Sequence, residues 1–241
     1  LTTGSDRTIR LWDADTHAEK PATNLTGHEN EIWTSSLNAH QPLLATGDKS
    51  GEIRIWPWPP HATKEIIYPC HRYMPKFFSR DSASFHVTTV ATETSPSTTI
   101  YNLTRGEKKS FSYPSYPIGL DAAGNIVVPI VAESQLQIYA PNGGALLKTI
   151  SLPPNSLASS YIHQGINAEG TRFYCIAYNE GQVHLVDLAE GKYEINAHFP
   201  TDHYTASAIS PDGRWIALTS WRQLHLLDTT TKIITSISND P

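Results

Sequence analysis

Gly4-Ser5-Asp6-Arg7-Thr8-Ile9-Arg10-Leu11-Trp12-Asp13 reads as a tight polar turn, then an alternating strand, then a Trp-Asp ending. A close copy returns at Gly47-Asp48-Lys49-Ser50-Gly51-Glu52-Ile53-Arg54-Ile55-Trp56. The closing residues Trp12 and Trp56 lie 44 residues apart, with Gly27-His28 between them. Self-similarity at such a period means that one small unit is repeated, each copy burying its apolar face against its neighbours.

The period runs through the whole chain. Strand-like segments close at residues 12, 56, 101, 139, 186 and 227, at intervals of 44, 45, 38, 47 and 41. Two strands joined by a polar turn precede each mark. The clearest turn is Ser210-Pro211-Asp212-Gly213, in which proline presets the first dihedral and glycine tolerates positive φ. Equivalent turns are Asn167-Ala168-Glu169-Gly170, Asp121-Ala122-Ala123-Gly124, Ser79-Arg80-Asp81-Ser82 and Asn38-Ala39-His40-Gln41-Pro42. After each mark comes a polar hairpin, such as Asn142-Gly143-Gly144 or Glu190-Gly191, and one further strand. The unit is four short strands. Helical periodicity is absent, and runs such as residues 126–131 and 173–178 are β-branched or aromatic. Pro129 inside the first of these runs implies a bulge or an edge pairing.

A Gly-His followed by a Trp-Asp at this spacing resembles the WD-repeat family. The fold that the resemblance implies is all-β, a β-propeller of four-stranded antiparallel blades. About six blades are expected, with seven as the alternative for the intact protein. By the strand count the first blade begins at its second strand, residues 1–4, and lacks its innermost one. Such a gap leaves unpaired backbone along an edge. The expectation is that upstream sequence or another chain supplies the missing strand or blade. On this view residues 1–241 are one WD-repeat propeller, a fragment or the C-terminal part of a longer chain, since Leu1 stands in mid-pattern without an initiator Met. Propellers of this family often sit at the C-terminus of larger chains, signalling ATPases among them.

Composition narrows the function classes. At 241 residues the chain can bury roughly 70–75% of its unfolded surface, so it needs no staples. Cys70 and Cys175 are its two cysteines, which excludes a disulfide framework and suits a reducing, cytoplasmic setting. The formal net charge is −5 and the basic residues are scattered singly, unlike the footprint of a nucleic-acid binder. No apolar run approaches the ~18 residues of a membrane span, and no signal peptide heads the chain. No P-loop and no G-x-S-x-G elbow occurs. Cys70-His71, and His198 with His203, lack a second pair at zinc spacing. The expectations are no cofactor, no metal and no catalytic residue.

In the WD-repeat family a His, a Ser or Thr, an Asp and the Trp form a buried hydrogen-bond chain within a blade. Carried over, the resemblance implies a structural network of His28, Thr46 and Trp56. The expected Asp position holds Ser50, so the network looks incomplete unless Asp48 substitutes. In the first blade Asp6 stands six before Trp12, with Thr3 nearby and no His half in the sequence. A buried imidazole needs partners on both nitrogens, which favours this structural role for His28 over a catalytic one.

Imposing the blade pattern gathers aromatic and basic residues on one face. That face is made by the outer-to-inner loops together with the loops between second and third strands. The partner-binding candidates there are His71, Arg72, Tyr73, Tyr113, Tyr116, Tyr161, His203, Tyr204, Trp221 and Arg222, with Glu29, Asn30, Lys49 and His163 nearby. Tyr, Trp and Arg are enriched at binding hot spots. The function expected is a non-catalytic scaffold or sensor module that presents these loops to a protein or peptide. The alternative is an accessory or catalytic propeller of a hydrolase-type enzyme, because turns like 210–214 are common in such propellers too.

Overall fold

The computed structural model describes residues 1–13, 15–16, 18–20, 25–38, 41–57, 66–68, 74–90, 96–154, 156–157, 163–176, 181–200, 204–220 and 223–238. They form six antiparallel sheets in sequence order, each a simple meander. The first sheet has three strands, β1 (Thr2–Thr3), β2 (Thr8–Arg10) and β3 (Leu25–Thr26). The second has four, β4 (Ile32–Leu37), β5 (Leu43–Asp48), β6 (Ile53–Pro57) and β7 (Ile66–Tyr68). The third contains β8 (Met74–Phe78), β9 (Ser84–Val90), β10 (Pro96–Asn102) and β11 (Lys108–Ser112). The fourth contains β12 (Gly119–Leu120), β13 (Ile126–Ile130), β14 (Gln135–Tyr139) and β15 (Leu146–Ser151). The fifth contains β16 (His163–Ile166), β17 (Arg172–Ile176), β18 (Gln182–Asp187) and β19 (Tyr193–His198). The sixth contains β20 (Tyr204–Ile209), β21 (Trp215–Ser220), β22 (Gln223–Asp228) and β23 (Ile234–Ser238). Six units, the first one strand short among the described residues, is the count that the repeat implies.

The turns hold because short polar side chains supply bonds that the backbone cannot make there. Asp212 Oδ1 accepts the Ser210 hydroxyl at 2.6 Å and the Arg214 N–H at 3.0 Å, while Ser210 Oγ takes the Trp215 N–H at 2.8 Å. Asp81 and Ser79 repeat the arrangement. Gly124, Gly170 and Gly213 close their turns at φ of 85°, 68° and 74°. Ser82 takes the same left-handed seat at 59° with a side chain attached.

Two compact units are distinguishable, Leu1–Tyr113 and Pro114–Pro241. In the first, Ile9 and Leu25 of one sheet pack with Ile32, Leu44 and Trp56 of the next, while Ala45, Ile53 and Ile55 pack against Phe85 and Val87. In the second, Val127, Leu136 and Ile138 meet Phe173, Cys175 and Val186, and Tyr174, Ile176 and Leu185 meet Ile216, Leu218 and Leu227. Each cluster draws on two consecutive sheets. Within each unit, consecutive sheets therefore bury faces on one another, and each fully buried Ile, Leu or Phe contributes about 1.5–3 kcal/mol.

Pro129 resolves as an edge pairing. It pairs with Leu136 of β14 without a register shift. The Ile118 N–H bonds Val127 O, so residue 127, and by alternation residue 129, turns its backbone groups toward β12. The β12 ladder ends before reaching that point, and the missing N–H of Pro129 costs no bond there.

Candidate functional site

His28 sits at 5% exposure, close to β5 and β6 of the second sheet, with both ring nitrogens engaged. Its Nε2 lies 2.7 Å from Thr46 Oγ1, and Trp56 Nε1 donates to the same hydroxyl oxygen at 2.8 Å. Asp48 Oδ2, 3.2 Å from Nδ1, can only accept, so Nδ1 carries the ring proton and Nε2 of the neutral ring accepts the Thr46 hydroxyl. Burial lowers the His28 pKa, and Asp48 only partly offsets it, so the ring is the neutral tautomer that this relay requires. For Asp48, burial favours the neutral acid. Bonds from Ser50 Oγ, the Glu52 N–H and His28 outweigh it and hold the carboxyl below its usual range. Asp48 thus completes the chain, and Ser50, in the expected acidic position, serves as its donor. Gly27 is required by close approach, since a Cβ there would stand 2.5 Å from Arg54 Nη1 and 3.2 Å from Trp56 Cη2.

His28, Asp48 and Glu52 present ligand atoms within 4.8 Å of one another. The set does not suit a cation. Both His28 nitrogens are committed, and the Arg54 guanidinium bonds Glu52 while lying 5.9 Å from the Trp56 ring centre.

The first sheet carries half of the same network. Trp12 Nε1 donates to Thr2 Oγ1 at 2.8 Å, so the partner is Thr2 and not Thr3. Asp6 accepts from the Thr8 N–H and hydroxyl and pairs with Arg10, which together hold its carboxyl far below the usual range. Trp12 remains 42% exposed.

A second cluster faces solvent beside the buried one. Trp33 is 54% exposed. It is the second residue of β4, next to a register shift between Ile32 and Thr34. Its indole N–H donates to Glu31 Oε2 at 3.2 Å, and Lys49 Nζ reaches Glu31 Oε1 at 3.4 Å. The Lys49 ammonium also stands 5.8 Å from the Trp33 ring centre. A backbone bond from Lys49 N to Glu31 O, 2.9 Å, ties the β5–β6 turn to the start of β4. Hence an outer-to-inner loop and a second-to-third loop meet at one spot, as the blade pattern requires of one face. The bond from Trp33 and the charge of Lys49 both keep Glu31 ionised.

Among the partner-binding candidates, Tyr116 is 42% exposed, whereas Tyr113 is buried at 3% and withdraws its ring from a docking surface. Tyr204 opens β20 opposite Ser220, and its side chain lies outside the description. His71, Arg72, Tyr73, Tyr161, His203, Trp221 and Arg222 lie outside the described residues, as does Cys70. Trp33 is not among the loop candidates because it alternates within a strand. The signal available was a lone large aromatic before Thr34-Ser35-Ser36, flanked by Glu31.

A shallow, largely apolar groove of about 360 Å³ lies in the second unit between Asp121, Ile138, Leu147, Lys148, Thr171 and Leu188. Its ionic groups are spoken for: Asp121 Oδ1 accepts the Ala123 and Asn125 N–H groups, and Lys148 Nζ donates to the Leu188 and Ala189 carbonyls. Among the described residues no helix is long and apolar enough to cross a membrane.

The family model "WD domain, G-beta repeat" matches residues 1–13 and 19–57. Over 54 residues the chain is 41% identical to human apoptotic protease-activating factor 1, a match covering 22% of this chain and 4% of that protein. Over 51 residues it is 39% identical to the guanine nucleotide-binding protein subunit beta of Schizosaccharomyces pombe, covering 21% of this chain and 16% of that one. The matched stretch spans only a small part of these relatives' own length. The β-propeller domain of Cps50 (Swd1) from Myceliophteria thermophila superposes with a TM-score of 0.72 over 98% of this chain and 81% of that domain, at 13% identity. With the repeat motif matched across its first two sheets and propeller architecture along nearly all its length, the chain has the β-propeller fold and carries WD-repeat sequence in residues 1–13 and 19–57.

Proposed function

We propose that this chain is a non-catalytic interaction module that presents one loop face of a propeller to a protein or peptide partner. The observation that carries the proposal is Trp33, a large aromatic left in solvent yet held in place through Glu31 and Lys49. Exposed but ordered indoles bind at low entropic cost, and Trp is among the residues most enriched at hot spots. The buried histidine beside it is consumed by structure, which leaves that face to recognition. The relatives support the reading by kind, since by name one is a protease-activating factor and the other is a subunit of a guanine nucleotide-binding protein.

The reading extends to the first sheet. Among the described residues the edge of β1 away from β2 has no partner strand. An extended segment from upstream sequence or from another chain would complete that sheet by strand addition.

The test is partner capture from host extract by the wild-type chain and by Trp33→Ala, Tyr73→Ala, Tyr116→Ala and Trp221→Ala. Loss of the same bound proteins in Trp33→Ala and at least one tyrosine variant, with melting unchanged, supports the face. Undiminished capture by all four variants overturns it.

A further inference from the structure

The partner is defined further by what already occupies the exposed cluster. Glu31 divides its carboxylate between two neighbours: Oε2 receives the Trp33 indole N–H, and Oε1 faces the Lys49 ammonium. Lys49 in turn stands over the Trp33 ring. A carboxylate edge beside an aromatic face is a site for a cation, and Lys49 fills it from within the chain.

Lys49 fills it loosely. Its distances, 3.4 Å to the carboxylate and 5.8 Å to the ring centre, are long for a hydrogen bond and for a cation–π contact. Both side chains are about half exposed, 54% for Lys49 and 44% for Glu31, a setting in which such pairs contribute little. An ammonium is a compact, strongly hydrated charge. A guanidinium is planar, stacks on indole, and can give parallel N–H bonds to a carboxylate. A positive visitor is also suited by the charge of the chain as a whole, which is −5.

We infer that the Glu31–Trp33 pair is an arginine-recognition site, in which an arginine side chain of the partner displaces Lys49, stacks on Trp33 and bonds Glu31. The inference rests on the proposed partner face and specifies the chemistry that face selects. Lys49 becomes a competitor that keeps the site ordered while it is empty of partner. Arginine is preferred over lysine because a visiting lysine gains nothing over the resident one.

The test is a selection of displayed random 12-residue peptides on the wild-type chain, followed by titration of fluorescent copies of the winners. The expected winners carry a fixed arginine. Their affinity should fall at least tenfold in Trp33→Ala and in Glu31→Gln, fall about tenfold when that arginine becomes lysine, and rise severalfold in Lys49→Ala. All three positions are surface-exposed, and circular dichroism melts would confirm that each variant is folded. Winners that depend on Trp33 but carry no selected arginine overturn this inference and leave the partner face standing. Winners indifferent to Trp33 and Glu31 overturn the inference and count against the face as well.

Discussion

The Thr46 hydroxyl accepts the Trp56 indole N–H at 2.8 Å, and Thr2 accepts that of Trp12 at the same distance. In each case the threonine precedes its tryptophan by ten residues, but only Thr46 has a histidine to pass its own proton to. The two pairs differ also in burial, since Thr46 is fully buried and Trp12 is 42% exposed. Replacing Thr46 with Val strands the buried Trp56 N–H and His28 Nε2, and should cost about 2–3 kcal/mol in urea unfolding. Thr2→Val should cost about 0.5 kcal/mol or less, because water can reach the Trp12 donor.

Acid should weaken the fold through its buried imidazoles. His86 is 2% exposed, and burial pushes its pKa from 6.5 to about 4, against a small opposing pull from Asp81. Between those values the unfolded chain takes up a proton that the folded chain refuses, so stability falls as pH drops from 6.5 toward 4 and is level above that window. The loss from His86 should approach about 3 kcal/mol at the acid end. His28 shifts the same way and adds to it. His86→Phe, which keeps the stack on Phe77, should flatten the profile in denaturant titrations at pH 7, 5.5 and 4.5.

Two turn glycines should respond differently to a methyl group. Gly213 has φ of 74° and its added Cβ would fall 2.9 Å from Arg172 Cδ, whereas Gly124 at 85° has no atom within 4 Å. Gly124→Ala should cost about 1 kcal/mol for the backbone alone. Gly213→Ala should cost about 1 kcal/mol more, read as a larger drop in denaturation midpoint.

Cys175 should be inert in the folded chain. It is fully buried, its thiol donates to Ser156 O at 3.6 Å, and burial pushes its pKa up to about 12. In a Cys70→Ser background, iodoacetamide should label the native protein negligibly at pH 8 and label it fully in denaturant. Rapid native labelling would contradict the packing of Phe173, Val186 and Cys175.

The repeat was legible because strands and turns write themselves locally: alternation, Pro211-Asp212-Gly213 and the six closing marks need no tertiary knowledge. Pro129 was half legible, since the sequence offered bulge or edge and only the length of β12 decides. Side-chain networks were harder. Ser50 stood where an acid was expected; the sequence offered Asp48 in its place, and only the turn's geometry decides for it. The same limit misplaced the Trp12 partner by one residue, from Thr2 to Thr3. Tyr113 and Trp33 depart from the general tendency in opposite directions, since loop tyrosines are usually outside and strand tryptophans inside. Whether either holds depends on what neighbouring chain covers them.

Side-chain bonds cross from one turn to the turn of the following sheet: Ser82 Oγ to Asn38 Oδ1 at 2.7 Å, and Asn167 Nδ2 to Pro211 O at 2.9 Å. Both span 44 residues. Each is a clasp that forms only when two adjacent units are folded together. Melting the third or the sixth sheet therefore strips the sheet before it of a bond, and damage at one of these turns is shared with its partner. The period that first marks the sequence is in this sense a coupling constant, setting how far a local opening travels before it is contained.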